Sequence, residues 1–342
     1  MTLRLRKLSS KRAHSRAFLV CIFTLYGCTS ITNEPYYFTR FAMDTSIEYT
    51  IMAPKRKLAK NAMLKAHQEI ERIEHLFWEK DSTSEIYRFN QSKRGIETTE
   101  EVFRLVRQAL EYNETTRGAF DITLKPLLDL YPFLSDNPVP PTKEMLDSAL
   151  KYVGEQFVET SIRIADSSWI LRKSIEQASL AIGGFVKGYA VDRAIEVLKN
   201  NHIRNALINA GGDLYCLGTK GSKPWKVGIQ NPRETEKLIN VLSLSNIAVA
   251  TSGDYQRFFL FNGNQYHHIL DPGTGIPARR TQSATVIAPT AEEADVWATA
   301  VFVLGHEEGI RLIDNRTDIF GSAIDSSGLI YYSKGFGRFL IE

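Results

Sequence analysis

The apolar residues of this 342-residue chain change their period along its length, and that change limits the fold class more than any single motif does. Between residues 57 and 78 they fall at Met63, Ala66, Ile70, Ile73 and Phe77, in steps of three and four that keep them on one face of an α-helix. A second helix is expected to open with the capping-box pattern Thr98-x-x-Glu101 and to run through Val102, Leu105, Val106 and Leu110. A turn at Asn137-Pro-Val-Pro-Pro141 leads to a third over residues 142–153. One strand is expected near residues 46–51, and strands dominate the second half, at 206–209, 225–230, 248–251 and 283–288. Residues 257–261 and 265–270 read as a hairpin, because the Asn262-Gly263 pair between them suits a left-handed two-residue turn. A helix capped by Thr290-x-x-Glu293 reaches Gly305, and a final hairpin turns at Ser326-Ser-Gly328. With no repeat and no strongly polar linker, the pattern predicts one α+β domain over residues 36–342, with two sublobes and a cleft between them.

Charge places a different kind of segment ahead of that domain. The chain carries 42 Lys and Arg against 39 Asp and Glu, a net of +3, with an isoelectric point near 8.6. Six of the basic residues and none of the acidic ones lie in residues 1–27, so the remainder holds 36 basic against 39 acidic groups, a net of −3. A global basic footprint for nucleic acid is thereby excluded. The basic stretch precedes a short apolar run, Ala17 to Gly27, which is too short for a membrane-spanning helix of about 20 residues and fits an export signal. Its end, Leu25-Tyr26-Gly27-Cys28, resembles the lipobox of bacterial lipoproteins. The expectation is a signal peptide over residues 1–27, acyl chains such as palmitate on Cys28, and a polar tether over 28–35. A plain secretory signal or a signal anchor is the alternative.

Beyond Cys21 and Cys28 only Cys216 is left, so packing rather than an internal disulfide must hold the domain together. Cys216 sits in the apolar stretch Leu214-Tyr-Cys-Leu217 and reads as a buried structural thiol.

Four islands pair glycine-rich turns with groups capable of chemistry: Gly118-Ala-Phe-Asp-Ile-Thr123; Gly183-Gly-Phe-Val-Lys187-Gly-Tyr-Ala-Val-Asp192 followed by Gly211-Gly-Asp213; Ser252-Gly-Asp-Tyr255 with His267-His-Ile-Leu-Asp-Pro272; and Ala294-Asp295 through Thr299. None matches a Walker loop or a strand-following G-x-G-x-x-G, so neither common nucleotide fold is supported. Asp295 and Thr299 stand four apart in a helical pattern and share a face. Their oxygens suit Mg²⁺. From spacing alone the better reading is structural, with Asp295 complementing the helix N-terminus and Thr299 bonded to a carbonyl one turn back.

The order and number of these islands closely resemble the ApbE family of FAD:protein FMN transferases. Further matches are Phe41-Ala-Met43-Asp-Thr45, Ser84-Glu-Ile-Tyr-Arg-Phe-Asn90 and His268-Ile-Leu-Asp-Pro272, so the likeness covers nearly the whole chain after the leader. The resemblance implies an α+β flavin-binding domain that splits FAD at its pyrophosphate. FMN would then be attached through a phosphodiester to a Ser or Thr hydroxyl of an acceptor protein, with release of AMP. It implies a Mg²⁺ site made by Asp295, Thr299 and the main-chain carbonyl of Gly184, and FAD contacts at Met43, Ala119, Phe120, Asp121, Lys187 and Ile269. Lys187 supplies a cation near the diphosphate, while Met43 and Phe120 suit its apolar portions. His268 is the candidate to accept the hydroxyl proton, since an imidazole titrates near 6.5; it reads equally well as a structural histidine bonded in the cleft. If both histidines lie on a strand, His267 points to the opposite face.

Two positions depart from the family pattern. Many members carry Asp six residues before the lysine, where this chain has Ala181, and many place a Tyr near the adenine where it reads Trp78-Glu-Lys80-Asp81. An FAD pyrophosphatase and a non-catalytic flavin-binding lipoprotein are the competing expectations. The partners implied are FAD, membrane redox subunits bearing a Ser/Thr flavinylation motif, and the membrane through the lipid anchor. The location implied is the periplasm-facing cell envelope, and Thr29 rather than Asp after Cys28 inclines the choice of membrane outward.

Overall fold

The structure, a computed structural model, describes residues 33–341 except 164 and 166, so the expected leader and Cys28 lie outside the described residues. The described chain forms one compact unit. In order it contains β1 (Glu34–Ala42), β2 (Thr45–Ala53), α1 (Arg56–Phe77), α2 (Glu85–Gln91), β3 (Gly95–Thr98), α3 (Glu100–Thr115), α4 (Lys125–Leu128), α5 (Lys143–Ala149), β4 (Val158–Arg163) and β5 (Ser168–Lys173). Then follow α6 (Gly183–Asn200), β6 (Ala206–Ala210), β7 (Asp213–Leu217), β8 (Trp225–Gln230), β9 (Leu238–Leu244), β10 (Ile247–Gly253), β11 (Phe258–Phe261), β12 (Asn264–His267), β13 (Thr281–Ala288), α7 (Ala291–Ile313), β14 (Phe320–Asp325) and β15 (Ile330–Tyr332). The expected α+β class holds. Strand β1 begins at Glu34, so the last two residues of the expected 28–35 tether are already paired, Glu34 with Ala53 and Pro35 with Met52.

Eight strands make the central sheet in the order β1-β2-β6-β7-β10-β13-β14-β15, antiparallel throughout. Strand alternation divides its side chains between two cores. Ile47, Tyr49 and Ile51 of β2, Ala248 and Ala250 of β10, and Val286 of β13 join the apolar faces of α1, α6 and α7. On the other face Met52, Cys216, Val249 and Ile287 meet Trp225, Val227 and Leu242 of the β8–β9 hairpin. Cys216 is thus the buried structural thiol expected, its pKa pushed up to about 12 by burial. A third cluster, with Leu127, Tyr131, Leu146, Phe259 and Leu270, builds a small lobe from α4, α5 and the β11–β12 hairpin. Its walls and those of the main body enclose the cleft between them.

The β11–β12 hairpin turns at Asn262-Gly263, where φ is +49° and +76° at the two central residues and Phe261 pairs with Asn264, as the sequence predicts. Thr290 caps α7 by accepting from the Glu293 amide at 3.2 Å, and the helix is interrupted at Gly305, where φ is +85°. The expected capping box at Thr98 does not form. Thr99 is the cap residue of α3 without a side-chain bond, and the Glu85 carboxylate, brought in from α2, takes the Thr98 hydroxyl and, at 2.8 Å, the Thr99 amide. Glu101 is drawn instead to Arg72 at 2.7 Å and the Tyr189 hydroxyl at 2.8 Å. The third expected helix is shorter, ending as α5 and tightening into a 3-10 turn over Leu150–Tyr152. The strand expected to run to residue 270 stops at His267, so His268 and Ile269 lie on the segment beyond it.

Candidate active site

Two tight hairpin turns set one rim of the cleft. Ala42 pairs with Thr45, leaving Met43 and Asp44 as the central residues of a turn with φ of +54° and +56°. Non-glycine residues adopt that conformation at a cost, and such strain concentrates at functional sites. The turn is held by α1, because the Met43 amide donates to Glu74 Oε1 at 2.6 Å. Next to it Gly211 and Gly212 join β6 to β7 with φ of +62° and +107°. A Cβ on Gly211 would stand 2.6 Å from Thr45 Oγ1, so glycine is what lets the two turns pack.

The cleft has a volume of about 940 Å³, and Met43, Ala119, Phe120, Asp121, Gly184, Lys187, His268, Ile269, Asp295 and Thr299 all line it. The structure therefore gathers every expected site residue among those it describes into one cavity. Asp121 is fixed locally: its Oδ1 accepts from the Thr123 amide at 2.7 Å and the Thr123 hydroxyl at 2.6 Å. Burial raises its pKa against those bonds. Phe120 packs on Phe185 with ring centroids 5.8 Å apart. Gly183 and Gly184 open α6 with nothing within 4 Å of where their Cβ atoms would stand, which keeps that helix end accessible. Ala181 lies on the same wall, its amide bonded to the Ile122 carbonyl at 2.7 Å, and Trp78 lines the cleft while remaining 41% exposed.

At the floor, Lys187 from α6 meets two carboxylates from other elements. Its ammonium donates to Asp213 Oδ2 and stands 3.7 Å from Asp295 Oδ2. Burial opposes the lysine charge, but Asp213 and Asp295 outweigh it and hold its pKa above the ordinary range. Both carboxyls are pushed up, first by burial, and Asp295 most strongly because Asp213 faces it. One cation thus answers two acids, and Asp295 Oδ2 is buried with no hydrogen-bond partner. Thr299, one turn along α7, sits 3.2 Å from the Ser252 hydroxyl. A carboxylate oxygen without a hydrogen bond, two acids to one cation and a neighbouring hydroxyl form a donor set that fits a hard divalent cation.

His268 is half-buried in the wall. Its Nδ1 lies 3.3 Å from the Arg257 carbonyl, which can only accept, so the proton is on Nδ1 and Nε2 keeps its lone pair. Burial pushes its pKa down to about 4, with Lys187 among the charges acting in the same direction. His267, the last residue of β12, belongs elsewhere, although His268 lies beyond the strand and the alternation expected of two strand residues does not apply: it is buried, with Nε2 2.8 Å from the Ala278 carbonyl and its ring edge-on to Phe302. Asp254 likewise turns away into a bidentate pair with Arg233 at 2.8 and 2.7 Å. In the sequence Asp213 stands out only within its Gly-Gly-Asp island, and Glu74 and Arg257 carry no local signature, because Glu74 acts on a turn 31 residues away and Arg257 through its main-chain carbonyl.

A family model described as the ApbE family matches residues 43–320. The chain is 32% identical over 265 residues to the FAD:protein FMN transferase of Haemophilus influenzae, covering 74% of this chain and 76% of that protein. It is 28% identical over 308 residues to that of Salmonella typhimurium, covering 86% and 87%. Among solved structures, the ApbE protein from Thermotoga maritima superposes with a TM-score of 0.82 at 32% identity, covering 90% of this chain and all of that one. The flavin transferase ApbE from Vibrio cholerae gives 0.78 at 25% identity with the same coverage.

Proposed function

The chain belongs to the ApbE family, and from that membership we propose that it is an FAD:protein FMN transferase. It splits FAD and attaches FMN to a hydroxyl of an acceptor protein. The single observation that carries this reading is the Lys187–Asp213–Asp295 cluster, in which Asp295 Oδ2 has no hydrogen bond, at the floor of a cleft of about 940 Å³. That volume lies in the range of small-molecule sites.

Asp295, Thr299 and the Gly184 carbonyl would hold Mg²⁺. When bound, Mg²⁺ supplies neutralisation of the charge that builds on the phosphoryl oxygens. The protein's own residues do the rest. Lys187, held protonated by its two carboxylates, is a fixed cation for the diphosphate and needs no reorganisation when charge develops. Phe120 and Met43 offer apolar surface to the rings and exclude water. His268 Nε2 accepts the proton of the acceptor Ser or Thr as its oxygen forms a bond to the FMN phosphorus. The bond from that phosphorus to the bridging oxygen breaks, and the bridging oxygen leaves with AMP. Arg257, through its carbonyl, keeps the imidazole in the tautomer this requires.

The test is incubation of the purified protein with FAD, Mg²⁺ and a flavoprotein acceptor, followed by mass spectrometry of the acceptor. An FMN adduct on one Ser or Thr with equimolar AMP is expected. Intact FAD and an unmodified acceptor would count decisively against the reading. FMN and AMP formed without acceptor would identify the pyrophosphatase instead. The leader supports a further part of the proposal: cleavage before Cys28 and its acylation would hold the enzyme at the periplasmic side of a membrane, where its acceptors carry a Ser/Thr flavinylation motif. Among the described residues no helix is long and apolar enough to cross a membrane.

A further inference from the structure

The Ser84-Glu-Ile-Tyr-Arg-Phe-Asn90 motif takes no part in the chemistry above, and none of its residues lines the cleft. Ser84 caps α2, Glu85 closes the start of α3, and Ile86 and Phe89 belong to the main core. Asn90, near the end of α2, does something else. Its side chain reaches a residue 90 positions along the chain. The Leu180 amide donates to Asn90 Oδ1 at 2.7 Å, and Asn90 Nδ2 donates to the Leu180 carbonyl at 2.9 Å. A main-chain N–H can only donate, so it fixes which end of the side-chain amide faces which group. One side chain thus makes the pair of bonds that a neighbouring strand would make.

Those bonds fall in a segment with no strand or helix of its own, between the end of β5 at Lys173 and the start of α6 at Gly183. Leu180 and Ile182 are buried, which sets their depth but not the tilt of their peptide planes. The next two residues add no anchor, because Gly183 and Gly184 have the freest backbone and nothing within 4 Å of where a Cβ would stand. The Gly184 carbonyl is therefore placed from its flanks. The Ala181 amide, bonded to the Ile122 carbonyl at 2.7 Å, ties the segment to the wall that carries Asp121. The Lys173 ammonium donates to the carbonyls of Asn90 at 3.0 Å and Glu176 at 3.1 Å, strapping the same segment to α2. We propose that Asn90 is a positioning residue for the transfer reaction: by holding both main-chain groups of Leu180 it sets the wall from Ala181 to Gly184 and presents the Gly184 carbonyl to the cation. The inference rests on the reading of that carbonyl as a ligand of Mg²⁺.

The test titrates Mn²⁺, a paramagnetic stand-in for Mg²⁺, into the wild type, Asn90→Ala and Asn90→Asp, with free Mn²⁺ read by electron spin resonance. Hydrogen exchange of residues 174–186 is followed in the same proteins. Val227→Ala, which loses packing in the core on the other face of the sheet, is the control for general loosening. Asn90→Ala is expected to bind Mn²⁺ about tenfold more weakly, the scale for losing a group that orients a metal ligand, and to exchange the Leu180 and Ala181 amides faster. Asn90→Asp keeps the side chain's shape and the bond from the Leu180 amide but sets an acceptor against the Leu180 carbonyl. It should lose affinity in the same direction, and it decides the question if the alanine variant does not fold. Val227→Ala is expected to melt lower yet bind Mn²⁺ as the wild type does. Unchanged Mn²⁺ affinity in the Asn90 variants, or an equal loss in Val227→Ala, overturns the inference. A wild type that binds no Mn²⁺ removes the metal site and the inference with it. Acceptor flavinylation by the wild type, measured alongside, bears on the proposed function alone.

Discussion

Asp295 shows how one residue can be poorly placed for stability and well placed for chemistry. It is buried against Asp213, shares a single lysine with it, and leaves one oxygen without a hydrogen bond. Asp295→Asn removes a buried charge without stranding Lys187, which keeps Asp213. The variant is therefore expected to melt at or above the wild-type temperature in metal-free buffer. Its transfer rate should fall by about 10²–10³, the scale for losing one group that stabilises transition-state charge. Calorimetry and acceptor labelling check the two halves, and a clear loss of stability would refute the account. Glu292 makes a separate prediction about pH. Burial, and then the Asp192 charge, push its pKa up to about 7 from a reference of 4.5. A carboxyl whose folded pKa is raised contributes stability below its unfolded pKa and loses it as pH rises through the folded value. Glu292→Gln should therefore melt like the wild type near pH 4.5 and progressively above it up to pH 8, as read by thermal melts across that range.

At the scale of elements, the contact between α6 and α7 determines where the charged cluster lies. Asp192 of α6 takes the first two amides of α7, Ala291 at 2.8 Å and Glu292 at 2.9 Å. One turn earlier, Gly188 lets the helices touch: a Cβ there would stand 2.5 Å from the Ala291 carbonyl oxygen and 2.6 Å from the Glu292 Cα. Lys187 and Asp295 flank this joint, one on each helix. In an open helix Gly188→Ala would stabilise by about 1 kcal/mol. Here the clash is with backbone that cannot give way, so the expected sign is reversed, with a loss of about 1–3 kcal/mol. Transfer should be impaired because Lys187 and Asp295 are pushed apart. Chemical denaturation gives the first quantity and acceptor labelling the second. The Lys-Gly-Tyr-Ala-Val-Asp run was visible in the sequence as a motif. That its glycine and aspartate hold the second helix, while its lysine faces the ligand, was not visible, because it depends on a contact across about 100 residues of chain.

For the molecule as a whole, the cleft lies between a large body with two cores and a small lobe with its own cluster, and a ligand reaching both walls should couple them. FAD with Mg²⁺ at 100 times its dissociation constant is expected to stabilise the fold by about 2.7 kcal/mol, raising the melting temperature by a few degrees. Mg²⁺ alone should act less, and through Asp295, so Asp295→Asn should abolish the metal's own effect in the same melts.

The sequence by itself determined the elements and their chemistry. Apolar spacing located α1, the Thr290-x-x-Glu293 pattern located the start of α7, Asn262-Gly263 and Ser326-Ser-Gly328 located two hairpins, and the family resemblance carried by the ordered motifs named ten of the residues that line the cleft. The helix and hairpin signals are local properties set by backbone geometry, whereas the site residues follow from the order of the motifs and the resemblance it carries. The tertiary structure decided which groups face one another. It took Glu101 from the expected capping box and supplied Glu85 instead, ended the strand at His267, and set Asp213 against Lys187 and Asp295. Pairing, desolvation and the raised acidity constants that follow depend on distances between residues far apart in the chain, and sequence spacing does not contain those distances.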